Sequence, residues 1–382
     1  MFQNLYSNPD FSVVYSNFTI ILYYVIVLLS FICGYYIQYS YSQETKLILY
    51  NKRFFLHFHV NLFVLLFFLV SFISGVREIG NDYVNYIDIF ERSNSLDRFF
   101  IGVEPGFIIY NGIIRFFTSN YYVFFLITSF LTVALFYISI VRYSEYVELS
   151  LAFGAYACVF YFQSFSLVRI YLASAILFYG TKYLFNQQNV NFFLIIVFAI
   201  TIHTSSIFIL LTFILYLLKC RSDRMFYILY VSIFLCSILL KDYLMILNIS
   251  DRYSGYLENM YETPSVGFGV LVVNVPLFYY LLKLKYLGVN EKLYNIFMVY
   301  ICMSFFVSFM GYYIPTIARA NVHFTIPLLV LLPYYVHELK KKKLPYKGTY
   351  MIIIIYLLCR LHIYFSEYLY VDEIMPYKTF FN

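Results

Sequence analysis

Three residues bring chemistry into apolar surroundings. Arg169 opens the run VRIYLASAILFYG, His203 begins the polar tetrad HTSS after FFLIIVFAITI, and Arg319 stands just before ANVHFTIPLLVLL. Arginine keeps its charge at depth and presents a planar fork of donors, so two of them on one face suit a diphosphate or another anion. Neutral imidazole takes a proton from a hydroxyl near pH 7, which makes His203 a candidate general base. Each also has a plainer use: an arginine near a span end snorkels to lipid headgroups, and a buried histidine is satisfied by Thr204 or Ser205. For Arg360, about 7.5 Å inside its helix end, snorkelling is the better account.

Carboxylates and further cations come from two polar segments. The first, 76–120, carries Arg77, Asp82, Tyr83, Glu104 and Arg115; the second, 241–267, contains NISDRYSGYLENMYETPS. Asp82 and Glu104 have the chemistry to bind sugar hydroxyls or to act as bases, and such segments suit a hydroxyl-bearing ligand as well as plain solvent. His57 and His59 are two apart and turn to different helix faces, which argues against a shared metal. No Walker loop, dinucleotide fingerprint or HExxH is present, so neither a metal, an organic cofactor nor a nucleic-acid partner is expected.

What must position these residues is a scaffold buried in lipid. Apolar residues make up 62% of the 382 and charged residues 12%, with a mean hydropathy of +0.76; no ordinary soluble domain has this balance. The fold class is therefore all-α and polytopic, a single integral membrane domain over residues 1–382. With no tryptophan, the interfacial belt falls to the 45 tyrosines, which cluster at run ends such as Tyr35-Tyr36, Tyr121-Tyr122 and Tyr312-Tyr313. The six cysteines stand singly and read as small core hydrophobes.

Apolar runs predict about 12 transmembrane helices. They fall near 18–39, 54–75, 121–141, 148–165, 167–185 and 190–202, then 204–218, 225–240, 267–284, 293–312, 320–336 and 349–365. Residues 105–117 form an apolar run too short to span and read as a helix lying in the outer interface, with Arg115 at its end. A straight helix from 190 to 218 would be about 43 Å long, well beyond the hydrocarbon core, so a break is expected at His203–Ser206. A hairpin broken there must face protein or a water-filled cavity; one tilted helix is the alternative.

Orientation follows from the lysines and arginines of short loops. Most of the 26, including Lys46, Arg142, Lys182, Lys219, Lys283 and Lys340 to Lys343, fall on one side, which is read as cytoplasmic. Both termini and segments 76–120 and 241–267 then lie on the opposite side with Arg169, Arg319 and most of the acids.

The order GNDYVNY at 80–86, EPGF at 104–107, SLVRIYLA at 166–173, IHTSS at 202–206, IAR at 317–319 and MPYK at 375–378 resembles the EpsG-like branch of the Wzy oligosaccharide-repeat polymerases. The likeness runs over most of the chain. It departs from the family pattern at Ile170, where glutamine is frequent, and at His323-Phe324, where a tyrosine-phenylalanine pair is frequent. The resemblance implies a metal-independent glycosyltransferase of the bacterial inner (cytoplasmic) membrane, serving O-antigen lipopolysaccharide or capsule assembly. Its substrate would be an undecaprenyl-diphosphate-linked oligosaccharide, polymerised on the periplasmic face among membrane lipids, with a chain-length regulator as a possible protein partner. Arg169 and Arg319 would hold the leaving diphosphate and His203 would take the acceptor proton; Arg77, Asp82, Tyr83, Glu104 and Arg115 would bind substrate. A lipid-linked oligosaccharide flippase or other transporter is the alternative, and a scaffolding protein would not need the break at His203.

Overall fold

In the computed structural model, residues 16–44, 53–93, 102–218, 269–288, 291–313 and 319–381 are described. Their apolar runs fold as helices: α1 (Asn17–Glu44), α2 (Arg53–Gly75), α3 (Tyr83–Glu91), α4 (Pro105–Phe117), α5 (Tyr121–Val141), α6 (Leu149–Tyr156) and α7 (Val168–Phe185). The second half adds α8 (Asn189–Ile202), α9 (Ile207–Leu217), α10 (Gly269–Tyr286), α11 (Glu291–Tyr313), α12 (Asn321–Phe324), α13 (Pro327–Lys341) and α14 (Lys347–Glu367). The expected span at 225–240 and the segment 241–267 lie outside the described residues, as do 94–101 of the first polar segment. Among the described residues, four helical stretches are long and apolar enough to cross a membrane by themselves, Asn17–Tyr39, Tyr121–Val141, Asn321–Lys341 and Lys347–Glu367.

The sequence interrupts several of the apolar stretches. Where one span was expected over 148–165, α6 passes into a π turn at Ala157–Tyr161 and a 3-10 turn at Gln163–Phe165. The change of pitch packs the rings of Tyr161, Phe162 and Phe165 together in the core, and the Tyr161 hydroxyl donates to the Val70 carbonyl at 2.8 Å. Over 320–336 the chain forms α12 and then α13, with the joint just before Pro327, the first residue of α13, where a proline disfavours a helical predecessor but suits a helix start.

α8 and α9 form a hairpin. Phe192 and Phe213, on either side of the turn, bring their rings to 5.4 Å, whereas a continuous helix would set them about 31 Å apart. The predicted break thus falls at His203, whose backbone is extended (φ −152°, ψ 122°) between α8 and the 3-10 turn Thr204–Ser206.

This hairpin helps define two ends of the helix assembly. At the first, Arg142 lies over the Tyr179 ring at 4.2 Å, Lys182 over Tyr143 at 4.8 Å, and Lys340 meets Glu148 at 2.6 Å. Burial alone would raise the Glu148 carboxyl, but the neighbouring His337 and the Lys340 ammonium, bonded to it at 2.6 Å, overcome this and hold it below the usual range. At the second end lie α3, α4, the starts of α5 and α7, the turn at His203 and the tail after α14.

The tail acts as a strap at this second end. Glu78 N–H donates to Lys378 O at 2.9 Å and Gly80 N–H to Glu373 O at 3.0 Å, while the Tyr23 hydroxyl donates to Ile374 O and the Tyr377 hydroxyl to Ile73 O, each at 2.7 Å. Gly80 is required here twice over: its φ is +118°, and a Cβ would stand 2.5 Å from the Phe165 carbonyl.

Candidate active site

Glu104 joins two parts of the site. It caps the start of α4, and Pro105 at the first helical position presets the backbone for the turn. Gly106 lets this turn press onto the end of α8, since a Cβ there would collide with the Thr201 side chain. The approach carries the Glu104 carboxylate to Thr204: Oε1 accepts from the Thr204 N–H at 3.1 Å and from its hydroxyl at 3.2 Å. The other oxygen, Oε2, accepts from Nη1 of Arg169 at 2.7 Å. Only 7% of the Glu104 side chain and 16% of the Arg169 side chain are exposed, so the pair is held largely out of water, where a charge-assisted bond counts for more.

Arg169 is aimed by its surroundings as well as by its partner. Its guanidinium lies over the rings of Tyr86 at 5.8 Å and Phe107 at 5.6 Å, and its backbone N–H faces the Tyr86 hydroxyl at 3.4 Å. Its Nε is buried with no hydrogen-bond partner. A buried guanidinium N–H left unmade costs free energy, which an anionic oxygen would recover.

His203 is built into the turn that Glu104 anchors. Its Nδ1 accepts from the backbone N–H of Ser205 at 3.2 Å and lies 2.7 Å from the Ser205 hydroxyl. An imidazole nitrogen that accepts from an amide carries no proton, so the neutral ring has its proton on Nε2. Beyond Ser205 lies a second histidine, fully buried: Ser205 Oγ is 2.8 Å from His323 Nε2, and His323 Nδ1 is 2.7 Å from Ser174 Oγ.

Acidic groups and the second arginine complete the cluster. Asp82 is half-buried before α3, with one long contact of 3.5 Å from Asn85, and its charge reaches Arg169 and Asp372. Arg319 is exposed before α12 and lies within electrostatic reach of Asp372. Burial raises the Asp372 carboxyl above the usual range; the Tyr364 hydroxyl at 2.6 Å opposes this, Asp82 reinforces it and Arg319 opposes it.

A family model described as the EpsG family matches residues 60–379. The chain belongs to the EpsG family. No curated protein and no solved structure matches it. The match and the apolar helices together describe a polysaccharide-polymerase-like membrane protein.

Of the expected site residues, the EpsG fold brings Arg169, Glu104, His203 and Asp82 together, with Arg319 linked through Asp372. Arg77 is placed elsewhere. Its side chain is fully buried, with Nε and Nη2 donating to Phe165 O at 3.3 and 3.0 Å and Nη1 to Ser74 O and, at 3.2 Å, to Ser129 Oγ. Arg115 donates to Phe90 O at 2.8 Å and ties α4 to α3. Tyr83 stacks on Phe125 at 4.6 Å with its hydroxyl buried and unpartnered. Tyr86, Ser174, Ser205, His323 and Asp372 were not singled out as site residues from the sequence, although every one falls in or within four residues of a motif quoted above.

Proposed function

We propose that this protein is an oligosaccharide repeat-unit polymerase of the inner membrane, with about 12 spans and its site on the periplasmic face. It would transfer a growing glycan from undecaprenyl diphosphate to a new lipid-linked repeat. The observation that carries this reading is the buried Arg169–Glu104 pair, which fixes a guanidinium with an unpartnered Nε beside the His203 turn. In the proposed reaction the acceptor hydroxyl oxygen attacks the anomeric carbon, the bond to the diphosphate breaks, and the lipid diphosphate leaves with the bonding electrons. Charge then grows on the leaving group, and Arg169 and Arg319 stabilise it. Displacement on the face opposite the leaving group inverts the anomeric centre through an oxocarbenium-like transition state.

The acceptor proton must go to a group with a lone pair facing it. The tautomer favoured by Ser205 makes His203 Nε2 a donor, suited to an anionic oxygen of the substrate rather than to accepting the proton. Asp82 is the carboxylate at the site most weakly held, its side-chain contact with Asn85 being 3.5 Å long against 2.6 Å for that of Asp372, and in this reading it takes the proton. A flippase would need cationic groups along a path open to each side in turn. The gathering of Arg169 and Arg319 at one end favours the polymerase instead.

The experiment is a glycan gel of a polymerase-deficient strain carrying Arg169→Ala or Arg319→Ala, with protein levels matched. Loss of about 3 kcal/mol of transition-state stabilisation slows transfer by roughly a hundredfold. Surface glycan with one repeat and no ladder is expected, with partial recovery by lysine, which lacks the fork. Complete absence of surface repeats, with lipid-linked units trapped inside, would overturn the polymerase in favour of the flippase.

A further inference from the structure

Four side chains from three segments are joined in one line: Ser174 of α7, His323 of α12, and Ser205 and His203 of the turn between α8 and α9. The successive separations are 2.7, 2.8 and 2.7 Å, all good hydrogen bonds. Counting protons fixes their direction. The Ser205 backbone N–H points at His203 Nδ1, so that nitrogen is an acceptor and the Ser205 hydroxyl also has to donate to it. A serine has one hydroxyl proton, so Ser205 Oγ can only accept from His323 Nε2–H. His323 Nδ1 is then the acceptor of the Ser174 hydroxyl. Reversing the line would set two N–H groups against each other at the Ser205 amide, 3.2 Å from Nδ1.

His323 itself is 0% exposed and sits one turn after Arg319. Both of its ring nitrogens are engaged by serines, so it touches no site where a ligand would lie. It is therefore suited to act on the site through another residue. We infer that His323 is a positioning residue: by donating to Ser205 it turns the Ser205 hydroxyl toward His203, and this second donor joins the Ser205 amide in holding His203 as the tautomer with its proton on Nε2.

This inference rests on the polymerase reading only for its consequence, that His203 offers a fixed donor to the anionic substrate. The tautomer itself is read without any activity. Full-length protein labelled with 15N-histidine is placed in lipid nanodiscs, and the His203 signals are identified by their loss in His203→Gln. One neutral tautomer is expected, with Nε2 protonated and Nδ1 bare. In His323→Asn the amide reaches the position of Nδ1 but not that of Nε2, so the Ser205 hydroxyl loses its donor and is free to turn; the backbone N–H alone then faces His203 Nδ1, and a measurable fraction of the second tautomer joins the first, as it does in Ser205→Ala, which keeps only that backbone N–H. His323→Gln places an amide N–H near the lost Nε2–H and restores the single tautomer. Repeat transfer on lipid-linked substrate falls roughly tenfold in His323→Asn and recovers in His323→Gln.

A wild-type His203 protonated on Nδ1 overturns the inference, as does one unchanged tautomer in both folded His323→Asn and folded Ser205→Ala. If His323→Asn does not fold, Ser205→Ala alone decides. If wild-type protein transfers no glycan yet the spectra change as described, the polymerase reading falls and the positioning role stands.

Discussion

Arg169 and Thr204 are held by the two oxygens of one carboxylate, Glu104, at 2.7 Å and 3.1 Å. Through that carboxylate the first turn of α7 and the break between α8 and α9 become one unit. Glu104 therefore sets the position of the guanidinium relative to His203, and it tempers a charge that would otherwise be buried largely alone.

Glu104→Gln tests that role. The amide oxygen can still accept from Thr204, so the turn is kept, but the charge-assisted bond to Arg169 is lost and the guanidinium is free to swing. Displacements of about 1 Å at a reacting centre cost up to roughly a hundredfold. Transfer per folded molecule by Glu104→Gln is expected to fall by about ten- to a hundredfold, with a lower melting temperature because Arg169 loses its buried counter-charge, and Glu104→Asp, too short to span both partners, to fall as far. Wild-type rates in Glu104→Gln would make the pair a fold contact only.

Much of this unit was open to sequence reasoning, and the limits are physical. Helix α5 was placed at 121–141 because its apolar run is uninterrupted; the structure adds Asn120 as its cap, accepting from Tyr122 N–H at 2.9 Å. The break at His203 followed from length alone, since no straight helix of that extent fits a bilayer. What periodicity could not give is partnership across the fold: Glu104 and Thr204 are a hundred positions apart, and His323 and Ser174 about one hundred and fifty. Arg77 shows the same limit from the other side. An arginine in a polar segment has the composition of a ligand-binding residue, and only the packing around it reveals that Phe165 O and Ser74 O already take its donors.

Arg77 should accordingly matter for stability more than for substrate. Lysine at this position keeps a charge but lacks the fork that reaches Phe165 O and Ser129 together, leaving buried acceptors unmet. Arg77→Lys is expected to lose about 1–3 kcal/mol, read as a lower melting temperature in detergent and reduced protein in the membrane. Transfer per folded molecule should remain near wild type. A well-folded Arg77→Lys with weakened substrate affinity would return this residue to the site.

Two carboxylates should respond to pH with opposite signs. Asp372 has its folded pKa raised, chiefly by burial, so its ionised form costs stability, and that cost sets in as pH rises through the folded value. Asp372→Asn removes the charge, while its amide oxygen still accepts from Tyr364. It should melt higher than wild type at pH 7.5, with the gain shrinking as pH falls through the raised carboxyl value and vanishing in acid. Glu148 has its folded pKa lowered, so it adds stability above its unfolded value, and that is lost as pH falls through the folded one. Glu148→Gln should therefore melt lower at pH 7.5, by roughly 1–2 kcal/mol since Lys340 is one-third exposed, and approach wild type in acid. Melting curves in which both variants shift the same way would show that these local environments do not govern the two groups.

The orientation of the whole helix assembly can be tested at its two ends. Arg142, Lys182, Lys340 and Lys341 gather at the end away from the His203 turn, where they meet tyrosine rings, Glu148 and Glu338. Basic residues in short loops are retained on the cytoplasmic side during insertion, whereas acids have little influence. At the other end Arg77 is consumed inside the fold and Arg169 is paired with Glu104. The strap that crosses that end carries Lys378, whose side chain is exposed, and the turn after α13 carries Lys342, also exposed. Single cysteines at these positions, in a variant lacking the six native cysteines, report the two faces separately. In intact spheroplasts an impermeant thiol reagent should label position 378 and leave 342 untouched until the membrane is opened. Labelling of 342 alone would invert the protein, place Arg169 and His203 on the cytoplasmic face, and remove the basis for transfer at the periplasmic surface.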